Sequence, residues 1–267
     1  MNFHGARALL GLGVCAAGVA ALLAATFAVA LRLRKHSVVD VAWGLGFGTV
    51  AVLTFAVSAG HGCLGRRLLL TAIVLLWGTR LAWHIGRRNA GHGEDPRYVA
   101  LLAKVPEHRR TAYAARTIYL LQGILILFIS LPVQPAQYSD RRLGVPAWIG
   151  LAGWAIGLLF EAVGDRQLKA FKADPANRGK IMDRGLWRYT RHPNYFGDAC
   201  VWWGIWLVAA DSGKWGALTV LSPVVMTLLL TKGSGAALTE RRMAGRPGFA
   251  EYVARTSGFF PRPPRRP

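Results

Sequence analysis

The residues best suited to chemistry lie in one stretch, residues 185–204, which reads GLWRYTRHPNYFGDACVWWG. Its first half carries Arg188, Arg191 and His192, cationic groups that can pair with phosphate oxygens. After a proline, three polar side chains stand at the start of an apolar, tryptophan-rich run: Asn194, Tyr195 and Asp198. Polar groups at such a position are costly unless they bind something polar. The stretch therefore predicts a site for a polar ligand at one end of an apolar segment.

The preceding stretch, residues 161–180, combines carboxylates with cations and reads EAVGDRQLKAFKADPANRGK. Glu161 and Asp165 are four residues apart and share one helical face, which Lys169 and Lys172 continue. Carboxylates accept hydrogen bonds from ribose hydroxyls, whereas lysine and arginine pair with phosphates. The pattern favours a ligand with both groups. The alternative is a helix end whose basic side chains extend towards water.

Two further titratable groups lie in apolar runs. Asp40 stands near the start of HSVVDVAWGLGFG, where a carboxylate is either functional or a hydrogen-bonding link between helices. Arg80 and His84 are four apart in WGTRLAWHIGRR, and a histidine can exchange a proton near neutral pH. The glycines of GLGFG fall inside an apolar helix, which excludes a Rossmann-type nucleotide loop. No HExxH, GxSxG or Cys/His metal spacing is present, so we predict no metal site.

The elements that must position these residues are membrane helices. Hydrophobic residues make up 53% of the 267-residue chain and charged residues only 17%, which predicts an all-α integral membrane protein. We predict one membrane domain over residues 1–267, with a cytoplasmic tail over 232–267. Its seven transmembrane segments are predicted at residues 8–31, 38–59, 68–85, 117–131, 146–163, 198–210 and 215–230.

The basic residues indicate how these segments are oriented. Of the 33 lysine and arginine residues, 26 lie after the first, third and fifth segments or in the C-terminal tail. The positive-inside rule places these four regions in the cytoplasm and the N-terminus outside. This distribution explains the net charge of +20 better than nucleic-acid binding does. We therefore predict a multi-pass membrane protein that binds no nucleic acid, with its ligand site facing the cytoplasm.

The ends of the chain carry three further predictions. The first segment is longer than the apolar core of a signal peptide, about 7–15 residues, so we expect it to be retained. Residues 239–256 are expected to form an amphipathic surface helix, and the basic, proline-rich residues 261–267 to be disordered.

The motif GLWRYTRHPNYFGD resembles the steroid 5-alpha-reductase superfamily, and within it a bacterial branch of membrane proteins. The segments GDRQLKAFK, DVAWGLGFG and EYVARTSGFFP extend the resemblance over about residues 36–261. The superfamily also contains sterol C14-reductases and, more distantly, isoprenylcysteine and phospholipid methyltransferases. The resemblance implies a seven-helix fold that binds NADPH from the cytoplasmic side.

The resemblance also implies roles for individual residues. The implied ribose and phosphate contacts are Asp165, Lys172 and Lys180. The implied contacts along the cofactor and at the nicotinamide are Trp187, Arg191, Asn194, Tyr195 and Asp198. The implied contacts of the adenosine part are Glu240, Arg241, Arg246 and Tyr252. Steroid 5-alpha-reductases place a catalytic glutamate and tyrosine on the second and third helices, where this chain offers Asp40 and His84 instead.

We therefore predict an NADPH-dependent oxidoreductase that reduces an activated C=C bond in a lipophilic, steroid-like or isoprenoid substrate. His84, oriented by Asp40 or a neighbour, would protonate the developing enolate oxygen. One alternative is an S-adenosylmethionine-dependent methyltransferase of a lipid or a prenyl thiol, because both branches share the RHPNY motif. The cations of residues 161–180 favour the reductase, since S-adenosylmethionine has no phosphate. Another alternative is a lipid-binding or structural membrane protein without catalytic activity.

Overall fold

The computed structural model describes residues 4–233 and 235–265, and in these residues it is helical without a β-strand. The longer helices are α1 (Gly5–Leu33), α2 (Val39–Val57), α3 (Leu64–Asn89), α6 (Leu121–Ile129), α8 (Val145–Ala173), α9 (Pro193–Ala210) and α11 (Leu221–Thr231). The shorter helices are α4 (Pro96–Leu102), α5 (Arg110–Ala114), α7 (Val133–Ala136), α10 (Lys214–Ala217), α12 (Ala236–Met243) and α13 (Phe249–Arg255).

Six helical stretches of the described residues are long and apolar enough to cross a membrane. They are Gly5–Leu33, His36–Val57, Leu64–Asn89, Glu107–Ile129, Val145–Ala173 and Lys214–Met243. The prediction of an all-helical membrane fold is confirmed, and the apolar helices suit a lipid bilayer. The predicted segment 198–210 lies in α9 but is not among the six, because that 18-residue helix begins with polar residues.

The fourth predicted segment, 117–131, is the end of a longer helical stretch. This stretch begins at Glu107 and runs through α5 and α6, which are joined by a π-helical turn at Ala115–Leu120. The extra residue of a π turn is easily accommodated where tertiary packing compensates for it. Residues 107–116 are largely polar, so a prediction from apolar runs placed the start of this helical stretch too late in the chain.

The chain divides into two compact units: Met1–Val145 with Val208–Thr219, and Pro146–Leu207 with Val220–Pro267. In the first unit, α2 and α3 touch backbone to backbone, because a Cβ on Gly44 would lie 2.3 Å from the carbonyl oxygen of Gly78. Beside this contact the fully buried rings of Phe47 and Trp77 pack 5.5 Å apart.

A buried ion pair joins three connecting segments at one end of the first unit. The Nη2 atom of Arg66, at the start of α3, lies 2.7 Å from Oδ2 of Asp211, and both side chains are at most 1% exposed. Arg66 also donates to the carbonyl of Arg142 at 3.1 Å, and the backbone N–H of Gly144 donates to Asp211 at 2.9 Å. A buried pair with this many additional hydrogen bonds has its charges compensated.

In the second unit, α8 and α9 form an antiparallel pair with glycines at the interface. A Cβ on Gly204 would lie 2.5 Å from the carbonyl oxygen of Gly150, and one on Gly197 would lie 2.5 Å from that of Gly157. Small residues allow this close approach in the manner of packed membrane helices.

The C-terminal tail forms two short helices, α12 and α13, rather than the single helix predicted over 239–256. The helix is interrupted after Met243, and Gly248, the residue before α13, adopts φ +79°, a left-handed conformation that an α-helix does not contain. The segment predicted to be disordered is described as far as residue 265. It has no helix, but the N–H of Arg262 donates to the carbonyl of Tyr189 at 3.0 Å. Residues 266–267 lie outside the described residues.

Candidate functional site

The polar start of α9 lies against α8 in the second unit. Gly164 packs against Pro193, whose Cγ would lie 3.2 Å from a Cβ at the glycine, so the next residues of both helices meet. Asn194 Nδ2 donates to Asp165 Oδ1 at 3.3 Å, and Asn194 Oδ1 accepts from the backbone N–H of Tyr195 at 3.1 Å. Two predicted site residues, 29 positions apart, therefore form a carboxylate–amide pair.

This pair belongs to a group of buried acids. Glu161, Asp165 and Asp198 are 3%, 8% and 9% exposed, respectively. Burying carboxylates in an apolar helix pair is costly, and packing of α8 on α9 is already provided by the glycines. Such a group therefore marks the start of α9 as the candidate functional site of the second unit.

Arg191 and His192 are held by an acid from the tail. Arg191 donates from Nε and Nη2 to the two carboxylate oxygens of Glu240 at 2.8 and 3.2 Å, and from Nη1 to the carbonyl of Thr256 at 2.6 Å. His192 Nε2 lies 2.9 Å from Glu240 Oε1, and its ring stacks on Tyr195 with 5.3 Å between centroids. Burial lowers the pKa of His192 below its ordinary value, although Glu240 acts in the opposite direction.

Trp187 and Tyr252 form a second link between the motif and the tail. The indole N–H of Trp187 donates to the carbonyl of Gly164 at 3.0 Å, and the Tyr252 hydroxyl donates to the carbonyl of Trp187 at 2.6 Å. Both side chains are buried, and burial raises the pKa of Tyr252. We call Trp187, Arg191, Glu240 and Tyr252 the tail clamp, because together they fix the tail on the motif. The resemblance implied direct cofactor contacts for these four residues, but their polar groups are engaged within the protein.

The predicted cations of the site are exposed. They are Lys172, Lys180, Arg241 and Arg246. A dinucleotide phosphate requires cations for its phosphates and hydrogen-bonding groups for its hydroxyls and carboxamide. The exposed cations, with Asp165 and Asn194, supply both kinds of group. These are the types of group that a phosphorylated dinucleotide such as NADPH would require. Among the described residues, no group of three or more His, Cys, Asp or Glu side chains could hold a metal ion.

The first unit contains a separate polar cluster around Asp40. The hydroxyl of Tyr98, in α4, donates to Asp40 Oδ1 at 2.6 Å, and Arg97 donates to Asp40 Oδ2 at 2.8 Å. Tyr98 is 8% exposed, and burial together with the negative charge of Asp40 raises its pKa. His84, the predicted partner of Asp40, lies half-buried in α3. Sequence reasoning missed the pairing with Tyr98, which lies 58 positions from Asp40 in the chain.

Glu94 fixes this loop on the start of α2. Its carboxylate accepts hydrogen bonds from the backbone N–H groups of His36 and Ser37, the latter at 2.9 Å. The His36 ring lies within 3.3 Å of the Tyr119 hydroxyl. Tyr98 and Arg97 follow Glu94 closely, so this attachment positions them at Asp40.

An apolar groove of about 290 Å³ runs between α1 and the helix that contains Tyr119. Its lining comprises Ala16, Val19, Ala20, Leu23, Ala24, Phe27, Tyr119, Leu120, Gly123, Ile124 and Leu127. Leu120 and Ile124 are more than half exposed, so the groove opens on the helix surface. Its one polar group is the Tyr119 hydroxyl, which faces His36.

The predicted residues thus fall into two sets. All twelve predicted cofactor contacts belong to the second unit, and the predicted catalytic residues Asp40 and His84 belong to the first. The predicted catalytic residues of the first unit gain Tyr98 as a neighbour of Asp40. The predicted cofactor contacts of the second unit separate into two buried acids with the half-buried Asn194, four exposed cations, the tail clamp, and Tyr195, which stacks on His192.

Comparison with known proteins assigns the chain to a family without an assigned activity. It is 23% identical over 262 positions to uncharacterized protein C594.04c of Schizosaccharomyces pombe, covering 88% of this chain and 75% of that protein. It is 32% identical over 94 residues to the probable O-methyltransferase ustE of Ustilaginoidea virens, covering 35% of this chain and 32% of that protein. No solved structure matches the chain. Residues 26–256 match the family described as protein of unknown function (DUF1295), and the chain therefore belongs to this family of the steroid 5-alpha-reductase-like superfamily.

Proposed function

We propose that this protein is an NADPH-dependent reductase of an activated C=C bond, such as that of an enone, in a lipophilic substrate. The observation that carries the proposal is the hydrogen bond between buried Asp165 and half-buried Asn194, together with the exposed cations Lys172 and Lys180 that follow Asp165 in the chain. An acid that accepts from hydroxyls and cations that pair with phosphates are the two features that a phosphorylated dinucleotide needs. Membership of the superfamily supports the same chemistry.

The second unit would hold the cofactor through its own side chains. Asp165 accepts hydrogen bonds from ribose hydroxyls, whereas Lys172 and Lys180 pair with phosphates. Asn194 and Tyr195 contact the nicotinamide, and Arg241 and Arg246 the adenosine part. Several cations favour NADPH over NADH, because the 2′-phosphate adds negative charge. When bound, NADPH supplies the hydride.

The first unit contains the candidate acid groups. Tyr98 donates its one O–H hydrogen to Asp40, so its hydroxyl would have to turn away from Asp40 to donate a hydrogen bond to an enolate oxygen. Its raised pKa makes Tyr98 a weaker acid than free tyrosine, which favours hydrogen bonding over proton transfer for this residue. His84 remains the second candidate for this role. The apolar groove beside Tyr119 suits the hydrocarbon part of a steroid-like or isoprenoid substrate.

We further propose that α9 crosses the membrane as a seventh span, with the N-terminus outside and the cofactor site facing the cytoplasm. The antiparallel pairing of α8 and α9 supports this topology, as does the positive charge both before α9 and in the tail. A bacterial cytoplasmic membrane is the proposed location.

The first test is thermal unfolding of the purified protein in detergent with NADPH, NADH or S-adenosylmethionine. A ligand at 100 times its Kd stabilises the native state by about 2.7 kcal/mol, so NADPH should raise the unfolding temperature more than the other two. Asn194→Ala should abolish the shift. Asn89→Ala is the matched control, because Asn89 lies in the first unit and its amide makes two long contacts, each of 3.5 Å, with Ser37 and Arg88.

A methyltransferase is the second candidate, because part of the chain matches the probable O-methyltransferase. In that case Asp165 would accept hydrogen bonds from the adenosine hydroxyls, and the cations would only determine the orientation of the protein in the membrane. Stabilisation by S-adenosylmethionine without stabilisation by NADPH would establish this alternative over the reductase. Stabilisation by neither ligand would contradict both activities and favour a lipid-binding or structural protein.

A further inference from the structure

The end of the described chain presents aromatic and cationic side chains together. Phe260 is 61% exposed and Tyr189 is 44% exposed. Arg262 and Arg265, which follow Phe260 closely, are exposed as well. An exposed phenylalanine beside two arginines is typical of a surface that meets a membrane interface, where rings enter the headgroup region and cations meet phosphates.

This surface has a fixed position in the second unit. Thr190 donates from its hydroxyl to the carbonyl of Phe259 at 2.8 Å, and the N–H of Arg262 donates to the carbonyl of Tyr189 at 3.0 Å. The N–H of Arg191 donates to the carbonyl of Ser257 at 2.9 Å. Residues 257–262 are therefore attached to the motif beside the tail clamp.

A chain of aromatic contacts relates the surface to the membrane. The Phe260 ring lies 6.1 Å from Phe196 of α9, which lies 5.1 Å from Phe160 of α8. Leu159, next to Phe160, is 61% exposed on a helix apolar enough to cross the membrane. The charged residues of α8 begin directly after Phe160 with the buried Glu161 and continue one turn later with Asp165 and Arg166. Phe260 thus stands where the apolar part of α8 ends, which is the level of the lipid headgroups.

We propose that Tyr189, Phe260, Arg262 and Arg265 form an interfacial anchor that binds the headgroups of anionic lipids at the bilayer surface. Guanidinium groups pair bidentately with phosphate oxygens, while the two rings occupy the boundary between headgroups and acyl chains. Because the anchor is hydrogen-bonded to residues 189–191, anionic lipid holds the tail on the motif. The inference concerns lipid binding alone and does not depend on the proposed enzyme activity.

The test is hydrogen–deuterium exchange of the full-length protein in nanodiscs. One preparation contains phosphatidylcholine alone and the other also contains phosphatidylglycerol. We expect phosphatidylglycerol to slow exchange in residues 257–262 by about fivefold, the effect of roughly one arginine near an anionic surface. The effect should weaken as salt is added, because exposed charges are screened.

The double variant Arg262→Gln/Arg265→Gln should lose this difference between lipids. The double variant Arg141→Gln/Arg142→Gln is the matched control, because it removes two exposed arginines of the first unit. An equal effect of phosphatidylglycerol in wild type and in the Arg262/Arg265 variant would overturn the proposal, and so would its absence in wild type. Should the variant not fold, native mass spectrometry of wild type decides the question. Preferential retention of phosphatidylglycerol over phosphatidylcholine supports the anchor, and equal retention contradicts it.

Discussion

At His192, burial and a neighbouring carboxylate act on the pKa in opposite directions, and burial prevails. The unfolded chain takes up a proton near pH 6.5, whereas the folded chain resists it until lower pH. The unfolded state then binds more protons, so stability must fall as pH drops below about 6.5. For this one group the slope is at most about 1.4 kcal/mol per pH unit. We predict that the unfolding temperature falls between pH 7.5 and 5.5, and by less in His192→Gln.

The comparison with His192→Gln isolates this residue, because the other histidines titrate in both proteins. Glutamine can still donate to Glu240, so the tail clamp through Arg191 is retained. A variant whose unfolding temperature depends on pH as steeply as that of wild type would show that His192 is not held neutral.

Individual residue types were predictable from the sequence, but their partners were not. Asp40 was identifiable because a carboxylate in an apolar run is unusual. Tyr98, its partner, lies 58 positions away and beyond a polar loop. Glu94 holds the loop through the backbone N–H groups of residues 36 and 37. Any residue except proline has such an N–H, so the sequence does not reveal this attachment. Arg191 was expected to contact a ligand because of its positive charge, but this charge is paired with Glu240 within the protein.

At the scale of elements, the site depends on close contact between α8 and α9. A Cβ at Gly197 would lie 2.5 Å from the carbonyl oxygen of Gly157, so alanine there must push the helices apart. We predict that Gly197→Ala costs about 1–3 kcal/mol of stability, the usual cost of overpacking, and weakens NADPH binding. Thermal unfolding with and without nucleotide measures both effects.

Gly153→Ala in α8 is the matched substitution. Its Cβ would meet its nearest neighbour, the Cα of Gly204, at 4.0 Å, which is an ordinary contact. Alanine also has the higher helix propensity, by about 1 kcal/mol at most. Gly153→Ala should therefore be neutral or slightly stabilising. Equal destabilisation by both substitutions would mean that the glycine contact does not determine the spacing of these helices.

Helices were predictable where apolar residues run unbroken and less so where backbone conformation decides. Six of the seven predicted segments coincide with membrane-capable helices. The tail was expected to be one helix because its charge pattern is amphipathic, but α12 ends at Met243 and α13 begins only after Gly248, whose φ is positive. A glycine in sequence does not reveal the sign of its φ, since it adopts both.

At the scale of the whole molecule, composition was the strongest predictor. A chain with 53% hydrophobic and 17% charged residues can satisfy its backbone in lipid only as helices or a closed barrel, and the segment lengths favour helices. The division into two units was not readable, because each unit is assembled from segments distant in sequence. It has a functional consequence: the residues proposed to hold the cofactor all belong to one unit.

The number of spans decides on which side of the membrane the proposed cofactor site and the tail lie. With α9 as a span, the connection after α8 and the tail share one side, as their positive charge favours. Without it, they lie on opposite sides. We predict that cysteines at Arg178 and Arg242 react with an impermeant maleimide only after cells are opened, whereas one at Ala59 reacts in intact cells. The background is a variant without the three native cysteines. Labelling of Arg178→Cys and Arg242→Cys from opposite sides would contradict the seven-span topology. In that case residues that precede α9 in the chain and residues of the tail could not contact the same cofactor molecule.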